Sequence, residues 1–147
     1  MAVRRTDLLA TLTAAAAAIA LIAAVARAAP DGNGDGGEGN ATRGERVFLF
    51  CYSCHSVDPR ESATLAGPSL YRVLGRRAAT LEGFDYSDAL KERGREGLVW
   101  DEAALDAFIT DPQTYLPGVS MGFFGIDSAQ DRADLIAYLR QAAAVTP

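Results

Sequence analysis

Apolar side chains in the second half of the chain recur three and four residues apart, and nowhere do they alternate over the length of a strand. Leu135, Ile136, Tyr138 and Leu139 give one apolar side to a segment that Ser128 can cap and that runs to about Ala142. Leu105, Phe108 and Ile109 do the same behind Asp101. Asp111-Pro112 ends that helix, since proline disfavours helical backbone at the residue before it. Upstream, Thr42-Arg43-Gly44-Glu45 has the form of a capping box, with the Thr42 hydroxyl accepting from the Glu45 amide. It predicts a helix from Arg43 to about Phe50. Short helices are expected around Leu70 to Leu74, between turns marked by Gly67-Pro68 and Gly75, and from Ser87 to Arg93. The predicted domain is all-α, short helices joined by long loops, with no sheet of consequence and no internal repeats.

The longest apolar run lies apart from these helices. Leu8 to Val25 follows Arg4 and Arg5 and precedes Ala26-Arg27-Ala28, an A-x-A cleavage pattern, so residues 1–28 read as a secretory signal peptide. The alternative is a retained membrane anchor, for which the run is just long enough. Its high alanine content and the interruptions at Thr11 and Thr13 favour cleavage. Pro30 to Asn40 is rich in glycine and acidic residues with almost nothing apolar to bury, so 29–41 is expected to be a disordered linker ahead of a domain at 42–143. These features predict export to the periplasm, soluble or anchored at the N-terminus.

Charge excludes some partners. With residues 1–28 set aside, 11 basic and 18 acidic side chains remain, a net charge of −7. A chain so acidic offers no electrostatic surface to nucleic acid or to anionic lipid.

Cys51-Tyr52-Ser53-Cys54-His55 supplies the chemistry. Two thiols at i and i+3 share one face of a helical turn and can each form a thioether with a haem vinyl group. The histidine at i+4 then points its ring at the iron. A zinc site would need further Cys or His, and the chain has 2 Cys and 1 His in all. A thioredoxin-like dithiol would sit in a βαβ pattern, which is absent. A domain of ~105 ordered residues with this much loop makes a poor apolar core alone. One haem c, held through Cys51 and Cys54, would complete it. Elimination selects the sixth iron ligand: Met121, in Tyr115-Leu116-Pro117-Gly118-Val119-Ser120-Met121, is the only methionine besides Met1. A lone methionine is ordinarily a core filler, but a Pro-Gly loop that presents a thioether is coherent with ligation. His55 and Met121 together would close both axial positions and raise the reduction potential, which points to a carrier and away from an enzyme.

From Gly44 to Arg140 the sequence resembles the class I cytochromes c of mitochondria and bacteria. Gly44-Glu45-Arg46-Val47-Phe48 ahead of the haem motif and Asp134-Leu135-Ile136-Ala137-Tyr138-Leu139 near the end carry the likeness. The resemblance implies the all-α class I cytochrome c fold wrapped around one haem. In that fold these two helices cross, with Gly44 and Phe48 against Leu135 and Tyr138. It implies that the Pro68 carbonyl in Gly67-Pro68-Ser69-Leu70 accepts from the proximal imidazole, fixing its tautomer. It implies haem-propionate contacts at Arg76, Tyr86 and Trp100, and an aromatic cover at Phe123 over the exposed haem edge.

The sequence also departs from the family. Phe108 stands where the family usually has a tyrosine bonded to the ligand sulfur, and Leu90 where it usually has an asparagine holding buried water. The loop between Leu90 and Trp100 is longer than in the mitochondrial proteins. The lysines that ring the haem edge in the family correspond to Gln113, Thr114 and Ser120, and the chain's one lysine is Lys91. The resemblance implies a monomeric carrier of a respiratory or photosynthetic chain. Its donor would be a cytochrome bc complex or dehydrogenase, its acceptor an oxidase or reaction centre. The alternatives are a membrane-tethered carrier and a haem subunit of a periplasmic dehydrogenase complex.

Overall fold

The computed structural model describes residues 38–59 and 65–144. The signal or anchor segment at 1–28 and most of the linker at 29–41 lie outside them. Helix α1 spans Ala41–Val47 and continues into a 3-10 turn at Phe48–Phe50. After a long irregular stretch come α2, Asp88–Arg95; α3, Glu102–Thr110; α4, Pro112–Tyr115; and α5, Ala129–Ala142. The only β pairing among the described residues is an isolated antiparallel bridge between Arg77 and Val99.

Ser87, at the start of the helix expected over Ser87 to Arg93, is the cap of α2, and the caps at Asp101 and Ser128 are those the sequence predicts. Each side-chain oxygen accepts from the amide three residues on, at Leu90, Ala104 and Asp131. Three expectations need correction. The cap of α1 is Asn40, whose side chain accepts from the Arg43 amide at 3.0 Å, and not Thr42. Asn40 is fixed there because its own amide donates to Asp134 Oδ1 at 2.6 Å, so the end of the assigned linker belongs to the fold. No helix forms at Leu70 to Leu74. Arg72 takes a φ of 52° and Gly75 one of 79°, which turn the chain instead. Asp111-Pro112 does end α3, but it also starts α4: the Asp111 side chain accepts from the Thr114 amide, and Pro112 takes the first helical position.

Helix α5 packs against α1 on one side and α3 on the other. A Cβ on Gly44 would overlap the Asp134 carbonyl oxygen and come within 2.8 Å of Tyr138 Cβ, so the backbones of α1 and α5 touch where they cross. Phe48 and Tyr138 seal the crossing with ring centroids 5.3 Å apart. Leu135, Ile136 and Leu139 of α5 are buried with Leu105, Phe108 and Ile109 of α3, as the periodicity predicts. Among the described residues no helix is long and apolar enough to cross a membrane.

Candidate haem site

The Cys51–His55 segment begins where the 3-10 turn ends. Cys54 N and His55 N both donate to the Cys51 carbonyl, at 3.0 and 2.9 Å, so the motif closes a helical turn that gathers its ligating side chains. The 65–71 strand of loop is tied to this turn. Gly67 N donates to Cys54 O and Leu70 N to Ser56 O, each at 2.8 Å. That tether sets Pro68 O at 2.7 Å from His55 Nδ1. A carbonyl can only accept, so Nδ1 carries the proton and Nε2 keeps its lone pair. A Cβ at Gly67 would fall 2.6 Å from Nδ1 and 2.7 Å from Nε2, so the bare glycine backbone lies against the ring and sets its orientation. Burial pushes the His55 pKa below the ordinary imidazole value and so favours the neutral ring, against the opposing effect of the Pro68 bond. Burial, with Cys54 beside it, pushes the Cys51 thiol up to about 11.

A second group gathers around a short antiparallel pairing. Trp100 N donates to Arg76 O and Gly75 N to Trp100 O, both at 2.9 Å, while Ala78 N bonds Leu98 O. This places Arg76 and Trp100 side by side. Arg76 spends guanidinium hydrogens on Ser69 O at 2.7 Å and Tyr71 O at 3.3 Å, and makes no ion pair among the described residues. Burial lowers its pKa, and Tyr86 stands close enough to pull it back up. The Tyr86 phenol is raised by burial, against the lowering pull of Arg76. The Trp100 indole N–H has no protein acceptor among the described residues. Arg76 and Tyr86 thus lie close together, Trp100 is paired to Arg76 through the backbone, and all three keep donor hydrogens to spare.

Met121 lies beyond the turn made by Leu116, Pro117 and Gly118, where Gly118 takes a φ of 87°. It is half-buried and packs on the core. Phe108 is buried, its ring 5.0 Å from Trp100 and 6.0 Å from Tyr115. Leu90 is buried too, so both departures from the family leave apolar groups in the interior. Phe123 is half-buried, while Phe124 beside it is fully exposed. One contact has no sequence signal. The Gln113 side-chain amide donates to Val119 O at 3.1 Å and Met121 O at 3.0 Å.

These residues fit a haem. The neutral imidazole presents a free Nε2, the thiols share one turn, and the cluster of Arg76, Tyr86 and Trp100 suits ionised propionates. Leu70, Leu74, Leu81, Phe84 and Leu98 pack on the core and are only half-buried, apolar surface of the kind a macrocycle would cover.

Comparison with known proteins agrees. The Cytochrome c family profile matches residues 41–143. A cytochrome c2 of Rhodomicrobium vannielii is 44% identical over 101 residues, 69% of this chain and 78% of that protein. A cytochrome c2 of Rhodoblastus acidophilus is 44% identical over 103 residues, 70% of this chain and 92% of that protein. Among solved structures, cytochrome cH from Methylobacterium extorquens superposes with a TM-score of 0.62 at 38% identity, covering 70% of this chain and 99% of that one. The chain therefore belongs to the cytochrome c family, electron carriers with one covalently attached haem c, held here through Cys51 and Cys54.

Proposed function

We propose that the chain is a single-electron carrier whose haem iron is ligated by His55 Nε2 and the Met121 sulfur. The observation that carries this reading is the 2.7 Å contact of His55 Nδ1 with Pro68 O, which leaves one ring nitrogen, and only that one, for a metal. Met121 is the one thioether within the family match, in a loop on the core. Bound haem supplies a one-electron iron couple. The protein does the rest. Pro68 strengthens His55 as a donor, Met121 favours the reduced state, and the two together bar small molecules from the iron. Arg76, Tyr86 and Trp100 hold the propionates ionised. Residues 1–28 direct export to the periplasm, the residues from 29 up to the Asn40 cap form a linker, and the partners are a bc complex or dehydrogenase as donor and an oxidase or reaction centre as acceptor. The ferric Met–iron charge-transfer band tests the ligation: present in the matured protein and lost in Met121→Ala. A full low-spin spectrum retained after that substitution overturns it.

One observation favours a second reading, a haem subunit docked in a dehydrogenase complex. Leu49, Phe50 and Tyr52, flanking Cys51, are 63%, 68% and 62% exposed, an apolar surface suited to lasting contact. A stoichiometric partner that stays bound through purification would establish it.

A further inference from the structure

We propose that Gln113 is a positioning residue for Met121, its carboxamide fastening the ligand loop to α4 and so setting how readily the Met121 sulfur gives up its place on the iron. The inference rests on the His55/Met121 ligation proposed above.

The loop has little else to hold it. Val119 N donates to Leu116 O at 3.1 Å and closes the turn; the next backbone bond downstream is Ile126 N to Ile109 O at 2.9 Å. Between them, from Ser120 to Gly125, the Met121 carbonyl is the one backbone group hydrogen-bonded among the described residues, and its partner is Gln113 Nε2. The same nitrogen also donates to Val119 O, two residues earlier. A primary amide has two N–H groups, and both are used. Two carbonyls held from one nitrogen fix the rotation of the backbone through Ser120 as well as its position, which a single bond would not.

The clamp itself stands on firm ground. Gln113 is the second residue of α4, whose first turn is closed by Asp111: Oδ1 accepts from Thr114 N at 3.0 Å, Oδ2 from Thr114 Oγ1 at 2.7 Å, and the carbonyl from Tyr115 N at 2.9 Å. Pro112 is buried, and Tyr115 packs edge-on to Phe108, so α4 is keyed into the core. Rigidity therefore passes from the core through α4 and Gln113 to the Met121 backbone. The family's lysine at this place presents a charge to partners; here the side chain is turned inward on the loop.

Imidazole added to the ferric holoprotein tests the proposal, because at saturation its binding rate is limited by departure of the Met121 sulfur. Gln113→Ala should raise that limiting rate about tenfold, as loss of two hydrogen bonds, one part-buried and one exposed, implies. Gln113→Glu, which has no donor and turns a carboxylate toward two carbonyl oxygens, should raise it further. Gln113→Lys restores a donor and should return the rate to within about threefold of the starting value. Should Gln113→Ala fail to mature, the Glu and Lys variants of similar shape carry the comparison. A charge-transfer band that persists in all variants, with limiting rates within about twofold of wild type, overturns the clamp and leaves the ligation standing. A wild-type protein without the band, whose spectrum ignores Met121→Ala, overturns the ligation and the clamp with it.

Discussion

Asp134 and Arg43 form a two-point ion pair across the crossing of α1 and α5, Nε to Oδ2 at 2.6 Å and Nη2 to Oδ1 at 2.9 Å. The Asp134 side chain is 1% exposed, and its Oδ1 also accepts from Asn40 N and from Gln130 Nε2. One carboxylate thus caps the crossing, holds the residue that caps α1, and joins the first helix to the last.

Asp134 should tie stability to pH. Burial alone would raise its pKa, but the hydrogen bonds from Arg43, Asn40 and Gln130 outweigh burial and hold it below the ordinary carboxylate value. A group depressed in the folded state stabilises above its unfolded pKa of about 3.9, and that contribution fades as pH falls through the lower folded value. Asp134→Asn should therefore cost about 2 kcal/mol near neutral pH, and the gap to wild type should close as the solution is acidified below pH ~4. Guanidinium unfolding of the holoprotein across that range measures it; a gap that stays constant would show that charge is not the source.

Gly44 tolerates no side chain. Its missing Cβ is what allows the α1 backbone to rest on the Asp134 carbonyl, and that oxygen belongs to a helix and cannot swing away. Gly44→Ala should force the helices apart and cost about 3 kcal/mol. The readout is the thermal midpoint of the matured protein, with Gly97→Ala as a comparison for handling: a Cβ there meets nothing within 4 Å, although its φ of 96° adds strain. A Gly44→Ala midpoint equal to wild type would remove the close crossing from the account.

How far the sequence reveals this fold depends on how local the forces are. Asp101 and Ser128 are legible as caps because each bond is made within three residues. Asn40 is not, because what fixes it is Asp134, 94 residues away. Arg72 turns left-handed where the pattern suggested helix, in a stretch held by bonds to Ser56 and to Trp100. In the site, His55 and Pro68 follow from motif and resemblance, and the structure places them 2.7 Å apart. Gln113 is visible in the sequence only as a missing lysine. Its bonds to the loop depend on α4, which itself hides behind a helix-stop signal that doubles as a start.

The apolar pocket around Phe108 should lower the potential relative to relatives with a hydroxyl there. Phe108 lies buried between Trp100 and Tyr115, and Leu90 is buried as well. A hydroxyl donating to the ligand sulfur would weaken it as a donor to ferric iron more than to ferrous. Phe108→Tyr should then raise the reduction potential by about 30 mV, the worth of roughly one weak hydrogen bond for a one-electron couple. Equilibrium redox titration is the measurement. An unchanged potential in both Phe108→Tyr and Leu90→Asn would show that this side of the pocket does not tune the iron.

Partner association should depend only weakly on ionic strength. From Val47 to Val57 and from Pro112 to Ile126 the chain carries no Asp, Glu, Lys or Arg, and these two segments hold both proposed iron ligands. Leu49, Phe50, Tyr52 and Phe124 stand exposed there, and the sole lysine is paired with Asp85 at 2.8 Å on α2's approach. A surface of this kind has no charge ring with which to steer toward an acidic partner, so encounter gains little at low salt. Electron transfer to a highly acidic oxidase should be slow and nearly flat between low and physiological salt. Phe50→Lys, adding one positive charge beside Cys51, should quicken it at low salt and introduce a decline as salt is added. Stopped-flow oxidation of the reduced protein reads both. A steep loss of rate with salt in the unmodified protein would mean that a positive field exists elsewhere on the surface and that the apolar segments are not the docking face.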